Sequence, residues 1–321
     1  MTGGAGASDR PWRRWAWIAA VAVLAAAALA TAARLVGVES GPLAMVIALT
    51  PWFALAAAVA LVLALVARSW WVAGVAVLVV ALHAWWLAPL FSSSGPQGQA
   101  VVVVATVNAS YGGADAHQIV ALVEDRGVDI LSIQELTPDL VDELATAGLG
   151  DFLPHATTRA EPDHRGIGLW SRTDLTGVQL IDDMASWAIL AEVETADGAV
   201  TVFAAHPMRP GLRSHSTWSQ DLAEVAQIAA EHQGPMLILG DLNATRDHAG
   251  FRTLEAQGFR DESDEAGSGL QFTFPEGLGP LPIVAIDHVL IRELLWRAGI
   301  VETVGIHGTD HRALVVTYVA K

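Results

Sequence analysis

The stretch LILGDLNAT at residues 237–245 combines a buried strand with two polar side chains at its end. Side chains alternate along a strand, so Asp241 and Asn243 face the same space if the extended geometry continues. Gly240 permits a sharp turn or a close backbone approach. An isolated Asp-x-Asn is also typical of a turn in which both side chains bond their own backbone. The rest of the chain must distinguish a turn from a functional site.

Other apolar runs end in the same way. We predict strands at 101–109, 128–136, 166–172, 187–195, 199–207 and 236–244, and in IVAIDHVLI and HRALVVTYV, with helices ending at Gly127 and near 219–232 and 250–257. Polar residues stand at their ends, namely Asn108, Glu135, His206, Asp287, Asp310 and His311. Strand ends gathered at one edge would form a pocket of carboxylates, amides and imidazoles, which suits a hard cation and proton transfer.

The ordered set N…QE…H…GDLN…DH…TDH resembles the endonuclease/exonuclease/phosphatase superfamily, which includes DNase I-like nucleases and inositol polyphosphate 5-phosphatases. The resemblance spans nearly all of residues 101–321. It implies an α/β (α+β) fold, a four-layer αββα sandwich of two sheets between helices. It also implies a hydrolase that acts on phosphoester bonds with the help of Mg²⁺ or Mn²⁺.

The resemblance implies a role for each matching residue. Glu135 is the main metal ligand, with Asn108 and Asp310 beside it. The catalytic set comprises His206 on the scissile phosphate, Asp241 and Asn243 on the nucleophilic water and a phosphate oxygen, and the pair of Asp287 with His311. Either Asp241 or His311 could take the proton from water, and the sequence leaves both open.

The remaining polar residues have other expectations. His288 follows Asp287 directly and should face the opposite side of its strand, in a structural or rim role. We expect His248 and the run RDESDEAG at 260–267 to be solvated. His164, His215 and Arg209 lie in expected loops, where lining the pocket is an open alternative.

The first hundred residues have a different composition. They contain seven charged residues, with 19 uncharged residues between Arg14 and Arg34 and 28 between Glu39 and Arg68. About 20 apolar residues span a bilayer as a helix. We therefore predict three transmembrane helices, at 15–33, 43–67 and 70–90. The implied organisation is a membrane region at 1–91, a polar linker at 92–99 and a catalytic domain at 100–321.

Basic residues in short loops predict the orientation in the membrane. Arg10, Arg13 and Arg14 precede the first span and Arg68 follows the second, whereas Arg34 alone lies in the first loop. The positive-inside rule then predicts a multi-pass protein of the cell membrane, with its catalytic domain outside the cytoplasm. An alternative treats the first span as a signal peptide, with RPWRR as its basic region and ATAA at the cleavage site.

Charge narrows the candidate substrates. Residues 101–321 hold 32 of the 34 acidic and 13 of the 18 basic residues, a formal charge of −19. Such acidity disfavours nucleic acid as a partner. The layout resembles small bacterial membrane proteins of a teicoplanin-resistance group, the vancomycin-resistance J-type, which favours a lipid-linked phosphate or another phosphate mono- or diester. The alternatives are an extracytoplasmic endo- or exonuclease and a non-catalytic binding protein on the same scaffold.

Overall fold

The computed structural model describes residues 11–92, 98–277, 279, 281–293 and 296–320. The N-terminal part is helical, with α1 (Pro11–Val36), α2 (Pro42–Ala48), α3 (Thr50–Ala67), α4 (Trp70–Leu87) and α5 (Pro89–Ser92). Three of these helices, α1, α3 and α4, are long and apolar enough to cross a membrane. They are candidate spans by length and composition.

The second predicted span is divided in the structure. Helix α2 ends at Ala48, and α3 begins at Thr50 after a residue with φ −90° and ψ 14°. Pro51 lies in the first turn of α3, where its missing N–H leaves no intrahelical bond unmade. The segment predicted as the second span, residues 43–67, therefore comprises α2 and α3, and this proline stands in the first turn of the longer helix.

Small residues bring the candidate spans together. Ala27, Ala60 and Ala76 are fully buried within one apolar cluster that joins α1, α3 and α4. Alanine at such positions allows close approach of helix backbones. The Thr31 hydroxyl of α1 and His83 Nε2 of α4 lie 2.9 Å apart, so this buried histidine makes a helix–helix contact.

The second part of the chain begins with β1 at Ala100, and residues 93–97 of the predicted linker lie outside the described residues. Its strands are β1 (Ala100–Asn108), β2 (Ile130–Gln134), β3 (His155–Arg159), β4 (Ile167–Ser171), β5 (Leu175–Ile181), β6 (Ala188–Thr195), β7 (Gly198–Ala204), β8 (Met236–Asp241), β9 (Arg260–Asp261), β10 (Asp287–Arg292), β11 (Trp296–Gly305) and β12 (Arg312–Ala320). Its helices are α6 (Ala116–Arg126), α7 (Pro138–Thr146), α8 (Leu149–Phe152), α9 (His215–Glu231), α10 (Ala249–Ala256) and α11 (Glu262–Glu265).

Two six-stranded mixed sheets face each other. Their strand orders are β11-β12-β1-β2-β4-β3 and β5-β6-β7-β8-β10-β9. Buried side chains from both sheets form the central core, including Val104, Leu239 and Val316. A second cluster packs α6, α7 and α8 on the outer face of the first sheet, and a third packs α9 and α10 on the second. The predicted four-layer αββα sandwich is confirmed.

Sheet register brings the polar strand ends to one edge. Asn108 pairs with Gln134 in the parallel β1–β2 ladder, so Glu135 follows at the same end. In the other sheet, Asp287 at the start of β10 pairs with Asp241 at the end of β8. His206 lies two residues after β7, which runs parallel to β8. His311 immediately precedes β12, the antiparallel neighbour of β1.

Candidate active site

The eight residues singled out in the sequence converge on one pocket of about 360 Å³. Six of them line it directly, namely Glu135, His206, Asp241, Asn243, Asp310 and His311. The other two lie behind this lining. Asn108 Nδ2 donates to Asp241 Oδ2 at 2.9 Å, and Asp287 Oδ2 accepts from His311 Nδ1 at 2.9 Å.

Asp241 Oδ2 is the centre of the arrangement. It lies 2.9 Å from Asn108 Nδ2, 3.6 Å from His206 Nε2 and 3.7 Å from His311 Nε2. Three nitrogens from three different strand ends therefore surround one carboxylate oxygen. Asp241 is only 1% exposed to solvent, so its electrostatic interactions with these nitrogens are weakly screened.

The LILGDLNAT stretch is both a turn and a site. Asp241 Oδ1 accepts from the backbone N–H of Asn243 at 2.8 Å, and Asn243 has a left-handed φ of 49°. A side chain at Gly240 would put its Cβ 2.0 Å from Ala205 O, so the close approach predicted for that glycine is confirmed. The turn geometry directs Asn243 into the pocket instead of competing with a functional role.

Backbone strain concentrates around the pocket. Ser110, Tyr111, Glu135 and Asn243 are non-glycine residues with φ between 45° and 56°. Such conformations are unfavourable for residues with a Cβ and are often retained at functional sites. At Glu135 the strain is offset by a hydrogen bond from the Tyr111 N–H to Oε2 at 2.8 Å, which leaves Oε1 towards His206 and Asn108.

The buried charges shift one another's ionisation. Burial lowers the pKa of His311, but the nearby charges of Asp287 and Asp241 outweigh it and raise that pKa to about 10. His206 behaves in the same way, because Asp241 and Glu135 raise its pKa against burial. Burial raises the pKa of Asp241, while His311 and His206 lower it to about 2. At neutral pH the site therefore contains an ionised Asp241 beside a charged imidazolium.

Several side chains could hold a divalent cation. One ligand atom from each of Asp241, Asp287 and His311 lies within 4.8 Å of the other two. His311 is protonated and already bonded to Asp287, so this trio is a poor ligand set. Glu135 Oε1 and the Asp310 side chain at the pocket wall are hard oxygen donors of the kind that Mg²⁺ and Mn²⁺ prefer. Asn108 Oδ1 accepts from Ser110 N at 2.9 Å, and its amide nitrogen bridges Glu135 and Asp241.

The pocket is also lined by residues outside the eight singled out in the sequence, including two basic and two apolar side chains. His164 and Arg209 line the pocket, as the open alternative allowed, whereas His215 is not among the lining residues. Sequence reasoning missed Phe274, whose ring centroid lies 4.8 Å from that of His311, because it stands in an apolar run without a polar strand end. Met208 also lines the pocket, and its N–H donates to Asp221 at 2.8 Å.

The loop that carries Asn243 is attached to the helical N-terminal part. His248 Nδ1 accepts from Thr245 N–H at 2.8 Å, and Nε2 contacts Ala44 O of α2 at 2.8 Å. The expectation that His248 is solvated was wrong, since it is 1% exposed, and burial lowers its pKa. Arg34 of α1 also pairs with Asp247 at 2.5 Å. Helices α1 and α2 therefore support the strand end that supplies Asp241 and Asn243.

Known proteins share this architecture. The family described as "Endonuclease/Exonuclease/phosphatase family" matches residues 105–311. A humanized D. rerio TDP2 structure is 16% identical, covers 68% of this chain and 99% of its own, and has a TM-score of 0.58. The Neisseria 3′ phosphatase NExo bound to product DNA hairpin is 18% identical, covers 68% and 99%, and has a TM-score of 0.55. A functionally unknown conserved protein from Enterococcus faecalis is 15% identical over 68% and 100%, with a TM-score of 0.53. No curated protein matches the chain.

Proposed function

This chain belongs to the Endonuclease/Exonuclease/phosphatase family, and on that premise we propose that it is a membrane-anchored, divalent-metal-dependent phosphoesterase with its active site outside the cytoplasm. Members of this family are usually hydrolases of phosphoester bonds. The observation that carries the proposal is the convergence of Asn108, His206 and His311 nitrogens on Asp241 Oδ2 at 2.9–3.7 Å. A cationic pocket floor beside an ionised carboxylate suits an anionic phosphoester and its attacking water.

Mg²⁺ or Mn²⁺ fits the oxygen donors at the pocket wall. Glu135 would be the main ligand, with Asp310 and Asn108 beside it. When bound, such an ion would neutralise charge on the phosphoester and favour ionisation of water. The bond from Tyr111 N–H to Oε2 and the strained backbone hold Glu135, and its Oε1, which has only a long contact of 3.4 Å with Asn108 Nδ2, supports this assignment.

The protein's own groups supply orientation and charge. His311, kept protonated by Asp287 and Asp241, holds a proton at Nε2 that can donate to a phosphate oxygen. His206 presents a second Nε2 to the same space. Ionised Asp241 can accept the proton of a water aligned for attack, which makes it the better candidate for the general base than the protonated His311. Asn243 donates its amide to Pro207 O at 3.0 Å, which fixes its orientation towards the pocket.

A lipid-linked phosphate or pyrophosphate is the substrate class that we favour. Three apolar helices attach the domain to a membrane in this proposal, and anchoring raises the effective concentration of headgroup phosphates. The charge of −19 in residues 101–321 disfavours a broad nucleic-acid footprint. A nuclease remains the second candidate because structurally similar proteins are titled as complexes with a single-strand DNA product and a product DNA hairpin.

A metal-dependent activity screen tests the reaction. The full chain in nanodiscs would be assayed with Mg²⁺, Mn²⁺ or EDTA against p-nitrophenyl phosphate, polyprenyl phosphates and single- and double-stranded DNA. We expect Glu135→Gln to remove most activity and to weaken Mg²⁺ binding in calorimetry, because the amide keeps the shape and loses the charge. Glu143→Gln on the exposed face of α7 is the matched control. Equal ion binding and turnover in Glu135→Gln and wild type would remove Glu135 from the site.

Reporter fusions test the orientation. The four basic residues on one side of the spans against one on the other lead us to expect an exported reporter to be active when fused after Lys321. Activity of a cytoplasmic reporter at that position, with an inactive exported one, would reverse the proposed topology.

A further inference from the structure

An uncharged ribbon connects the ends of two candidate spans with the catalytic pocket. It consists of residues 270–274 (LQFTF) and 281–285 (LPIVA), which we call the membrane-side ribbon. Its two stretches pair through Thr273 N to Val284 O at 2.9 Å and Ile283 N to Phe274 O at 2.9 Å. Large apolar side chains on it are exposed, with Leu281 72% and Ile283 41% exposed. The rest of the domain is strongly acidic, so this apolar surface requires a reason.

The ribbon is attached at both sides to the helical region. Trp52, in the first turn of α3, donates its indole N–H to Ile283 O at 2.8 Å and stacks on Phe272 with ring centroids 5.8 Å apart. Next to the ribbon, Gly269 N–H donates to Leu90 O at 2.8 Å, just beyond α4. Contacts with the ends of two apolar helices fix the ribbon against the same end of the helix bundle.

The length of α3 gives the depth of these contacts. Eighteen residues extend about 27 Å, close to the thickness of about 30 Å of a bilayer's hydrocarbon core. A tryptophan in the first turn of such a helix belongs at the interface between hydrocarbon and headgroups. Ile283, whose carbonyl accepts from that tryptophan, would lie at the same level, and Leu281 is two residues away.

The other end of the ribbon forms part of the pocket. Phe274 lines the pocket and stacks near His311, and Ile286, which follows the ribbon directly, lines it as well. Thr273 Oγ1 accepts from Asp287 N–H at 3.3 Å, so the ribbon also contacts the strand that carries the His311 partner. The ribbon therefore extends from the helix ends to the proposed reacting groups.

We propose that the membrane-side ribbon inserts Leu281 and Ile283 into the bilayer interface and forms a lipid-contacting entrance to the catalytic pocket. Lipid is the occupant because the surface is continuous with the candidate spans and has no charged residue to recognise a polar partner. The entrance role rests on the proposed function and specifies its substrate as a phosphoester whose apolar part stays in the bilayer. The lipid contact itself does not depend on catalysis.

Site-specific quenching tests the lipid contact. The chain contains no cysteine, so Leu281→Cys and Ile283→Cys each provide a unique position for an environment-sensitive fluorophore in the full chain. Leu180→Cys is the matched control, because Leu180 is 45% exposed on β5, at the opposite edge of the sheet from β9. In phosphatidylcholine nanodiscs we expect spin-labelled lipid to quench fluorophores at 281 and 283 strongly and at 180 weakly. Quenching at both ribbon positions that is no stronger than at 180 would overturn the proposal. The exposed apolar side chains would then be better explained as a contact for a protein partner.

A pair of substrates tests the entrance role. We expect Leu281→Asp to lower kcat/KM about tenfold for a polyprenyl phosphate in nanodiscs, since the exposed leucine loses its lipid contact, and to leave hydrolysis of water-soluble p-nitrophenyl phosphate unchanged. Leu180→Asp should change neither. An equal loss for both substrates in Leu281→Asp would contradict an entrance role. Failure of the wild type to cleave either substrate would contradict the proposed function, and the quenching result would then decide the lipid contact by itself.

Discussion

Strand β10 carries two His–Asp pairs that differ in what surrounds them. Asp287 pairs with His311 at 2.9 Å on the pocket side, and the next residue, His288, pairs with Asp261 at 2.7 Å on the opposite side. Both histidines are buried, at 5% and 4% exposure, and the charges of their partners raise the pKa of both against the effect of burial. By residue type, distance and burial, the two pairs are nearly equivalent.

The two pairs differ in the hydrogen bonding of the second imidazole nitrogen. His288 Nε2 lies 2.8 Å from Ala244 O, so both nitrogens of that ring are satisfied within the protein. His311 Nε2 faces the pocket, 3.7 Å from Asp241 Oδ2, and makes no hydrogen bond within the described residues. A His–Asp pair can therefore act on a substrate when one imidazole nitrogen makes no hydrogen bond within the protein. The pair alone does not identify an active site.

Replacing each histidine should give the largest contrast. We expect His311→Ala to lower turnover by about 10²–10⁴-fold, the usual contribution of a positioned acid–base group. It should also lower Tm, because it leaves the buried Asp287 carboxylate unpaired. His288→Ala should leave the turnover of folded protein nearly unchanged and lower Tm, because it leaves Asp261 as an unpaired buried charge. Steady-state kinetics and thermal unfolding of the full chain in nanodiscs measure both effects.

If His288→Ala does not fold, His288→Gln, which retains a donor towards Asp261, serves in its place. A comparable loss of turnover at both positions in folded protein would show that the free Nε2 is not what distinguishes the pairs.

A double-mutant cycle then tests whether Asp287 acts through His311. We expect Asp287→Asn to slow turnover less than His311→Ala, and the double variant to be much less impaired than the product of the two effects. The reason is that Asp287 has no role in orienting or charging an imidazole that is absent. Turnover at saturating Mg²⁺ measures the cycle, and fully multiplicative effects would make the two residues independent.

How much of the fold the sequence predicts depends on where a strand lies in its sheet. All eight predicted strands are present, and they include every interior strand of both sheets. The four that were missed, β3, β5, β9 and β11, are the four edge strands. Edge strands such as HATTR at β3 lack the continuous apolar run of a doubly covered strand, so their pattern resembles that of a loop.

Candidate site residues were predictable where a polar residue ends an interior strand. The eight residues singled out in the sequence all lie at the end of an interior strand or within two residues of it. The run at 260–267 was wrongly expected to be solvated, because its acids are buried only through contacts distant in sequence. Glu262 is 1% exposed, and its burial beside Asp261 raises its pKa to about 9. His248 was wrongly expected to be solvated, and Phe274 was missed, for the same reason, since their partners Ala44 and His311 are remote in the chain.

The pH dependence of stability tests the structural role of the pair formed by His288 and Asp261. The pKa of His288 is raised above 6.5, so its stabilising contribution is complete below about pH 6.5 and is lost as pH rises through the raised value. The pKa of Asp261 is lowered below 3.8, so its contribution is present above that value and is lost as pH falls through the lowered one. The stability difference between wild type and His288→Gln should therefore be largest between about pH 4 and 6.5. We expect about 2 kcal/mol, less than for an unpaired buried charge, because the amide retains a donor towards Asp261. Tm measured from pH 3.5 to 9 tests this, and a difference that increases steadily up to pH 9 would contradict the assignment.

The smallest expected effect concerns the phenylalanine that packs on each imidazole. Phe274 lies 4.8 Å from His311 between ring centroids, and Phe251 lies 4.6 Å from His288. Phe251 is fully buried, so Phe251→Leu should lower stability by about 1 kcal/mol and leave turnover unchanged. Phe274 is half-buried at the pocket, where its ring keeps water from one face of the imidazolium and so strengthens its interaction with a phosphate. Phe274→Leu should therefore reduce turnover by a few-fold without lowering Tm.

Because both changes remove the same atoms beside the same type of ring, only the open side of His311 can account for opposite effects on turnover and Tm. A loss of Tm without a loss of turnover in both variants would mean that Phe274, like Phe251, serves only to pack its histidine.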